Sequence, residues 1–194
     1  MTTVHYYDTN AEQFFRETVD VNMEALYAAF LAHVPKGGHI LDAGCGSGRD
    51  SHYFSKQGYI VTAFDASQKL VALSTRLTGL PVLHLKFQEL NFVKVFDGIW
   101  ACASLLHVPR AEIDDALRRL TKALRPGGVL YASFKYGNSE WEKDGRFFNS
   151  YDEESFYALI SKHHHLTVDR EWKSADVRRG RKEEFWYNVL LKRL

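Results

Sequence analysis

Short apolar runs alternate with amphipathic stretches along most of this chain. The runs Gly38–Asp42, Tyr59–Phe64, Pro81–Lys86, Phe96–Ala101 and Val129–Phe134 read as strands, and apolar residues at helical spacing fill the segments between them. Asn10 is placed to cap a first helix running toward Val34, Arg49-Asp50 to open a second, and Ser67 to cap a third reaching about Leu77. Arg110–Leu124 carries Ile113, Leu117, Leu120 and Leu124 on one helical face until Pro126-Gly127-Gly128 stops it, and Asp152–Ser161 is the last helix. The tail then offers two β-rich runs, Leu166–Trp172 and Phe185–Leu191, joined by the basic stretch Arg178-Arg179-Gly180-Arg181-Lys182. This alternation predicts an α/β fold, a mostly parallel sheet with helices on both faces. No repeat, low-complexity tract or linker divides residues 1–194, so they read as a single domain.

The most specific pattern is Ile40-Leu41-Asp42-Ala43-Gly44-Cys45-Gly46-Ser47-Gly48, in which an apolar run ends in an acid and glycines follow at alternate positions. Glycine is needed where backbone turns sharply or lies against a ligand, and a helix opening just beyond presents unpaired N–H groups to an anion. A second apolar run ends at Asp65. In a parallel sheet its carboxylate stands at the carboxyl edge beside the glycine loop, where it can accept both hydroxyl protons of a ribose. The dinucleotide pattern G-x-G-x-x-G requires a third glycine where this chain has Arg49, which disfavours an NAD(P)-dependent oxidoreductase.

Composition is consistent with this picture without naming the ligand. At 194 residues, 45% hydrophobic and 25% charged, the chain can bury a substantial core. A formal net charge of +1 argues against bulk nucleic acid as a partner, and the basic run is read first as a solvated loop offset by Glu183-Glu184. Two cysteines, Cys45 and Cys102, cannot build a disulfide framework. No run approaches the ~18 apolar residues of a membrane span, and the first residues lack a signal-peptide pattern. A cytoplasmic protein with no membrane partner is expected; the sequence sets no oligomeric state.

Four segments in order resemble the class I S-adenosylmethionine-dependent methyltransferases: Ile40–Gly48, Phe64-Asp65-Ala66-Ser67, Phe96-Asp97-Gly98-Ile99-Trp100-Ala101, and Leu124-Arg125-Pro126-Gly127-Gly128-Val129-Leu130. Within that class, Gly46–Asp50 and Leu105–Pro109 are similar to small bacterial type 11 or tellurite-resistance-like methyltransferases. The resemblance implies a Rossmann-like seven-stranded sheet ending in an antiparallel strand pair. It implies S-adenosylmethionine as cofactor, S-adenosylhomocysteine as product, and no metal. It also divides the domain into a helical cap (1–36), a cofactor-binding core (37–134), a substrate-side loop (135–151), and a helix with the terminal strands (152–194). Backbone around Gly44, Cys45, Gly46 and Gly48 then lies along the methionine part, Asp65 and Ala66 hold the ribose, and Phe87 and Gln88 cover adenine. Lys86 stands where the family often carries an acid. Ala101 and Cys102 close the fourth strand at the same edge, and Tyr7 and Phe14 can flank the sulfonium, with packing of its helix on the core the other role open to Phe14. Asp42 either orients the cofactor's ammonium or accepts N–H bonds at the turn, and Arg49 pairs with the cofactor carboxylate, pairs with a buried acid, or is a surface residue.

Methyl transfer displaces an already activated carbon, so a catalytic base is optional and positioning dominates. On the acceptor side His107 can take a proton, position the acceptor, or cap the next helix. Lys135 and Tyr136 follow the fifth strand, where Lys135 can bind an anionic acceptor or snorkel from a loop, and Trp141, Arg146 and Tyr151 lie in a loop with the content of a substrate lid, where Arg146 is expected to read an acidic or polar group on a small-molecule acceptor. His163-His164-His165 are read as surface residues, not as a metal site. Besides the methyltransferase, the oxidoreductase and a cofactor-binding regulator without turnover remain open.

Overall fold

The structure, a computed structural model, describes residues 2–176 and 184–194. The basic run Arg178–Lys182 lies outside the described residues. Seven strands form one sheet in the order β3-β2-β1-β4-β5-β9-β8. They are β1 (His39–Ala43), β2 (Ile60–Asp65), β3 (Val82–His84), β4 (Phe96–Ala101), β5 (Leu124–Lys135), β8 (Leu166–Ala175) and β9 (Phe185–Arg193). Strands β1 to β5 are parallel, and β9 pairs antiparallel with both β5 and β8.

Central strands are apolar on both sides because both faces are covered. Ile40, Trp100, Tyr131 and Leu190 point to one face and pack against Tyr27, Phe30 and Phe54 from the helices α3 (Glu24–Leu31) and α4 (Arg49–Lys56). Leu41, Ile99, Leu130 and Val189 point to the other, where α6 (Arg110–Ala123) supplies Ile113, Leu117 and Leu120 and α7 (Glu153–Ile160) supplies Phe156 and Leu159. This period of two places every Cα–Cβ vector correctly only in the observed register, for example Leu41 opposite Thr62 and Ile99.

Two segments depart from the sequence expectation. The amino-terminal region is three short helices, α1 (Thr3–Thr9), α2 (Ala11–Thr18) and α3, not one helix from Asn10 to Val34. Asn10 has non-helical backbone and its Nδ2 donates to Tyr6 O at 2.8 Å, so it closes α1 and gives α2 no side-chain cap. Ser67 does cap α5 (Gln68–Thr78), accepting from Leu70 N at 3.2 Å. The second departure is at 135–151, which holds a hairpin of β6 (Glu140–Lys143) and β7 (Arg146–Asn149). Its turn residues Asp144 and Gly145 have φ of 53° and 78°, the mirror-image turn whose twist suits a tight hairpin.

Candidate functional site

At the carboxyl edge of β1 the chain must turn between β2 and β4. Gly44 and Cys45 donate their N–H groups to Phe64 O at 3.0 and 2.9 Å, tying the loop across the strand ends. Gly44 has φ +77°, and a Cβ there would stand 2.5 Å from Ser104 Cβ, so only glycine fits. Asp65, last in β2, accepts from Gly46 N at 2.9 Å and Ser67 N at 2.8 Å. Each carboxylate oxygen keeps a lone pair for a ligand hydroxyl. Burial raises the Asp65 pKa, and these N–H donors oppose that rise.

Beneath the loop lies a buried polar knot. The carboxylate of Asp50 receives Arg49 Nε at 2.6 Å, Arg49 Nη2 at 2.9 Å, Trp100 Nε1 at 2.8 Å and the Tyr27 hydroxyl. Burial opposes ionisation of Asp50, but the guanidinium and the hydrogen bonds win and hold its pKa below the ordinary value. Of the readings open for Arg49, the observed partner is thus a buried acid. Asp42 accepts from Ser51, whose Oγ lies at 2.6 Å, and burial together with the nearby Asp50 charge pushes it up to about 8. Asp42, Gly48 and Ala101 do not reach the wall of the cleft above; they support it from below.

That cleft has a volume of about 1180 Å³ and runs from the glycine loop to the hairpin. Gly44, Cys45, Gly46, Arg49, Asp65, Ala66, Phe87, Gln88 and Cys102 line one end, and His107, Lys135, Tyr136, Trp141 and Arg146 the other, with Tyr7 on the wall as well. Phe87 also packs edge-to-face on Phe64 at 5.2 Å, and Gln88 Nε2 donates to Glu112 Oε2 at 2.5 Å. Cys45 is buried and Cys102 half-buried, and burial pushes both thiols up, Cys102 to about 12, which disfavours the thiolate form.

The roof is α1 and the hairpin. Phe147 N donates to Thr3 Oγ1 at 2.9 Å, Ser67 Oγ to Asp8 Oδ1 at 2.6 Å, and the Arg146 guanidinium covers the Tyr6 ring at 4.5 Å. Tyr7 Oη and His107 Nε2 are 2.8 Å apart, and His107 Nδ1 is 2.6 Å from Phe147 O. A carbonyl can only accept, so Nδ1 carries the ring proton and Nε2 accepts from Tyr7. Burial holds His107 down near 4 and pushes Tyr7 up to about 12, with Arg146 lowering both. The Tyr7 ring meets Phe14 edge-on at 5.1 Å, and Phe14 in turn covers Gly46, so Tyr7 sits where the two ends of the cleft meet.

On the acceptor side Lys135 is not an open cation. It is buried and ion-paired to Asp176 at 3.3 Å and to Glu184, with Nζ over the Trp186 ring at 4.1 Å. Tyr136 is 40% exposed and its hydroxyl donates to Glu153 at 3.0 Å. Trp141 stacks on Phe148 with ring centres 4.3 Å apart, and Arg146 lies over Phe148 from the side at 5.4 Å. Arg146 Nε is buried and has no hydrogen-bond partner. Sequence reasoning missed Phe148, Leu106 and Asp50 as wall residues; the pair Asp144-Gly145 between aromatic positions was the signal that would have found the hairpin. His163 is not a free surface residue, since Nε2 pairs with Asp114 at 2.9 Å, and no metal-binding cluster occurs among the described residues.

Residues 40–128 match the family described as a methyltransferase domain. Over those residues, and in the strand order of its sheet, the chain is similar to methyltransferase domains. Over 130 residues the domain is 32% identical to a malonyl-[acyl-carrier protein] O-methyltransferase of Enterobacter lignolyticus, covering 65% of this chain and 47% of that protein. Over 104 residues it is 31% identical to a ubiquinone biosynthesis O-methyltransferase of Coxiella burnetii, covering 50% of this chain and 44% of that one. The matches thus span about half the length of these curated relatives. The fold of Burkholderia thailandensis 1,6-didemethyltoxoflavin-N1-methyltransferase, solved with 1,6-didemethyltoxoflavin and S-adenosylhomocysteine, superimposes with a TM-score of 0.78 at 24% identity, covering 98% of this chain and 84% of that one. At that identity the likeness concerns the fold alone.

Proposed function

We propose that this domain binds S-adenosylmethionine and transfers its methyl group to a small-molecule acceptor. The observation that carries the reading is Asp65, locked by Gly46 N at 2.9 Å against the glycine loop and facing a cleft that continues into an aromatic-walled chamber. The loop fits the cofactor: a Cβ at Gly44 would already be blocked by Ser104, and Gly46 leaves 3.1 Å between an added Cβ and Phe14, so the backbone itself forms the floor. Asp65 would hold the ribose hydroxyls and Phe87 the adenine face. The cofactor, when bound, supplies an electrophilic methyl on sulfonium sulfur. The protein holds the acceptor beside it and keeps water out under α1 and the hairpin. On the acceptor side the unpartnered Arg146 Nε would receive a polar or acidic group, and the neutralised Lys135 would not.

Calorimetric titration with S-adenosylmethionine, with NADH as control ligand and Asp65→Ala as control protein, tests this reading. Binding of the sulfonium donor alone, weakened roughly 10-fold or more by the substitution, is expected, since hydrogen bonds to a charged group are worth about 1.5–3 kcal/mol. Preference for NADH would overturn it.

A further inference from the structure

Resting on the methyl-transfer reading, we propose that Tyr7 and His107 form a proton relay, in which Tyr7 Oη touches the acceptor and His107 Nε2 stores the proton behind it. The relay is built from three separated pieces of chain. Tyr7 comes from α1, His107 from the 3₁₀ turn Leu105–His107 after β4, and the carbonyl that orients the imidazole is Phe147 of the hairpin. Because Nδ1 spends its proton on Phe147 O, the basic Nε2 has one direction to face, and Tyr7 Oη occupies it at 2.8 Å. The imidazole therefore reaches the cleft through the phenol. Tyr7 Oη, having given its hydrogen to Nε2, has the Arg146 side chain as one hydrogen-bond neighbour and keeps a further lone pair for a hydrogen donor, where the glycine-loop end and the Arg146 end of the cleft meet.

The step balances. The acceptor heteroatom forms its bond to the methyl carbon while the carbon–sulfur pair leaves with sulfur. The heteroatom's proton passes to Tyr7 Oη, Tyr7's own proton passes to Nε2, and the resulting imidazolium later releases a proton to solvent. The groups that face the pair are Arg146 from β7, Tyr6 from α1 and Asp65 from the end of β2. Burial, and with it the Arg146 charge, disfavours the imidazolium, so His107 is a weak base, but a hydroxyl or amine acquiring a methyl group becomes strongly acidic, and a weak base suffices. The relay thus selects acceptors that carry a hydrogen, hydroxyl or amine groups, over acceptors already anionic.

Two variants separate a relay from a latch. Tyr7→Phe removes the oxygen and keeps the ring; His107→Gln presents a hydrogen-bond acceptor to Tyr7 without a basic nitrogen. Labelled methyl transfer from S-adenosylmethionine to a series of phenols and anilines of graded acidity is the activity readout, and calorimetric cofactor affinity is followed in parallel. Both variants are expected to lose about 100-fold or more in kcat on weakly acidic phenols, the usual scale for a positioned acid–base group, with little loss on a phenol already ionised at the assay pH. Nitrogen-15 NMR of the S-adenosylhomocysteine complex is expected to show His107 neutral with the proton on Nδ1 down to about pH 5. Near wild-type turnover in His107→Gln, losses independent of acceptor acidity, an Nε2-protonated ring, or no transfer to any phenol or aniline while the cofactor still binds would each overturn the relay. Failure of the wild-type protein to bind the cofactor would overturn the methyl-transfer reading beneath it.

Discussion

Single side chains under the glycine loop decide how much charge the core can carry. Asp50 collects two guanidinium hydrogens, an indole N–H and a phenol, so removing it strands Arg49. Asp50→Ala is expected to lose about 3–5 kcal/mol in urea unfolding, the usual cost of leaving one buried charge unpaired. Asp42 behaves in the opposite sense. Its carboxyl is pushed up to about 8, above its unfolded value, so the native state binds more protons than the unfolded chain between those two pH values. That contribution is complete below the unfolded pKa and is lost as pH rises toward about 8. Asp42→Asn, which keeps an acceptor for Ser51, is therefore expected to gain stability relative to wild type as pH is raised from 5 to 8, measured as the difference in unfolding midpoints. A constant difference across that range would show that Asp42 is ionised in the fold. Asp42 and Asp65 were legible in sequence as acids ending apolar runs. That one would stand beneath the floor and the other upon it was not, because the sequence alone does not give the register in which Asp42 pairs with Ala63 while Asp65 projects beyond the last pair, Ala43 with Phe64.

Strands β1 to β4 and β9 were legible to within a residue or two, since a buried strand is apolar on both faces and short, whereas β5 begins at Leu124, well ahead of the expected Val129, and β8 runs past Trp172 to Ala175. Helices α5, α6 and α7 were legible for a related reason, a single apolar stripe between a cap and a breaker. The amino-terminal helices were not, because the apolar residues of 10–34 fit one helical period while the breaks at Asn10 and Val19–Met23 come from local side-chain hydrogen bonds such as Thr18 Oγ1 to Phe14 O at 2.7 Å. The hairpin was hidden by its brevity, each strand being four residues. The roof it makes with α1 gives a prediction at this scale. Thr3→Val keeps the shape of the side chain but removes the acceptor for Phe147 N, at a cost of about 1 kcal/mol. Amide exchange at Phe147 is expected to quicken roughly fivefold while exchange in β4 and β5 is unchanged. Equal rates in both proteins would mean that Thr3 does not hold the hairpin.

At the scale of the molecule, the parallel half of the sheet carries the glycine loop, and the antiparallel β9–β8 edge, with the hairpin beyond β5, carries the acceptor chamber. The first half was readable because its motifs are local in sequence. The second was not, since Tyr7 and His107 are 100 residues apart and no periodicity links them. A ligand that binds only the native state at 100 times its dissociation constant adds about 2.7 kcal/mol. For a domain of this size S-adenosylhomocysteine at that level is expected to raise the melting temperature by about 5–10 °C, and Asp65→Ala at the same concentration by much less. An equal shift in both would move the binding site away from the loop.

Helix α1 grips Ser67 on one side of the cleft and Phe147 and His107 on the other. It is therefore a shared wall, and whatever steadies it for one ligand steadies it for the second. If α1 orders further when either ligand binds, donor and acceptor are coupled through it, and linkage requires the coupling to be reciprocal: the factor by which the acceptor tightens the donor equals the factor by which the donor tightens the acceptor. Cofactor affinity measured with and without an acceptor would then differ by the same factor as acceptor affinity measured with and without the cofactor.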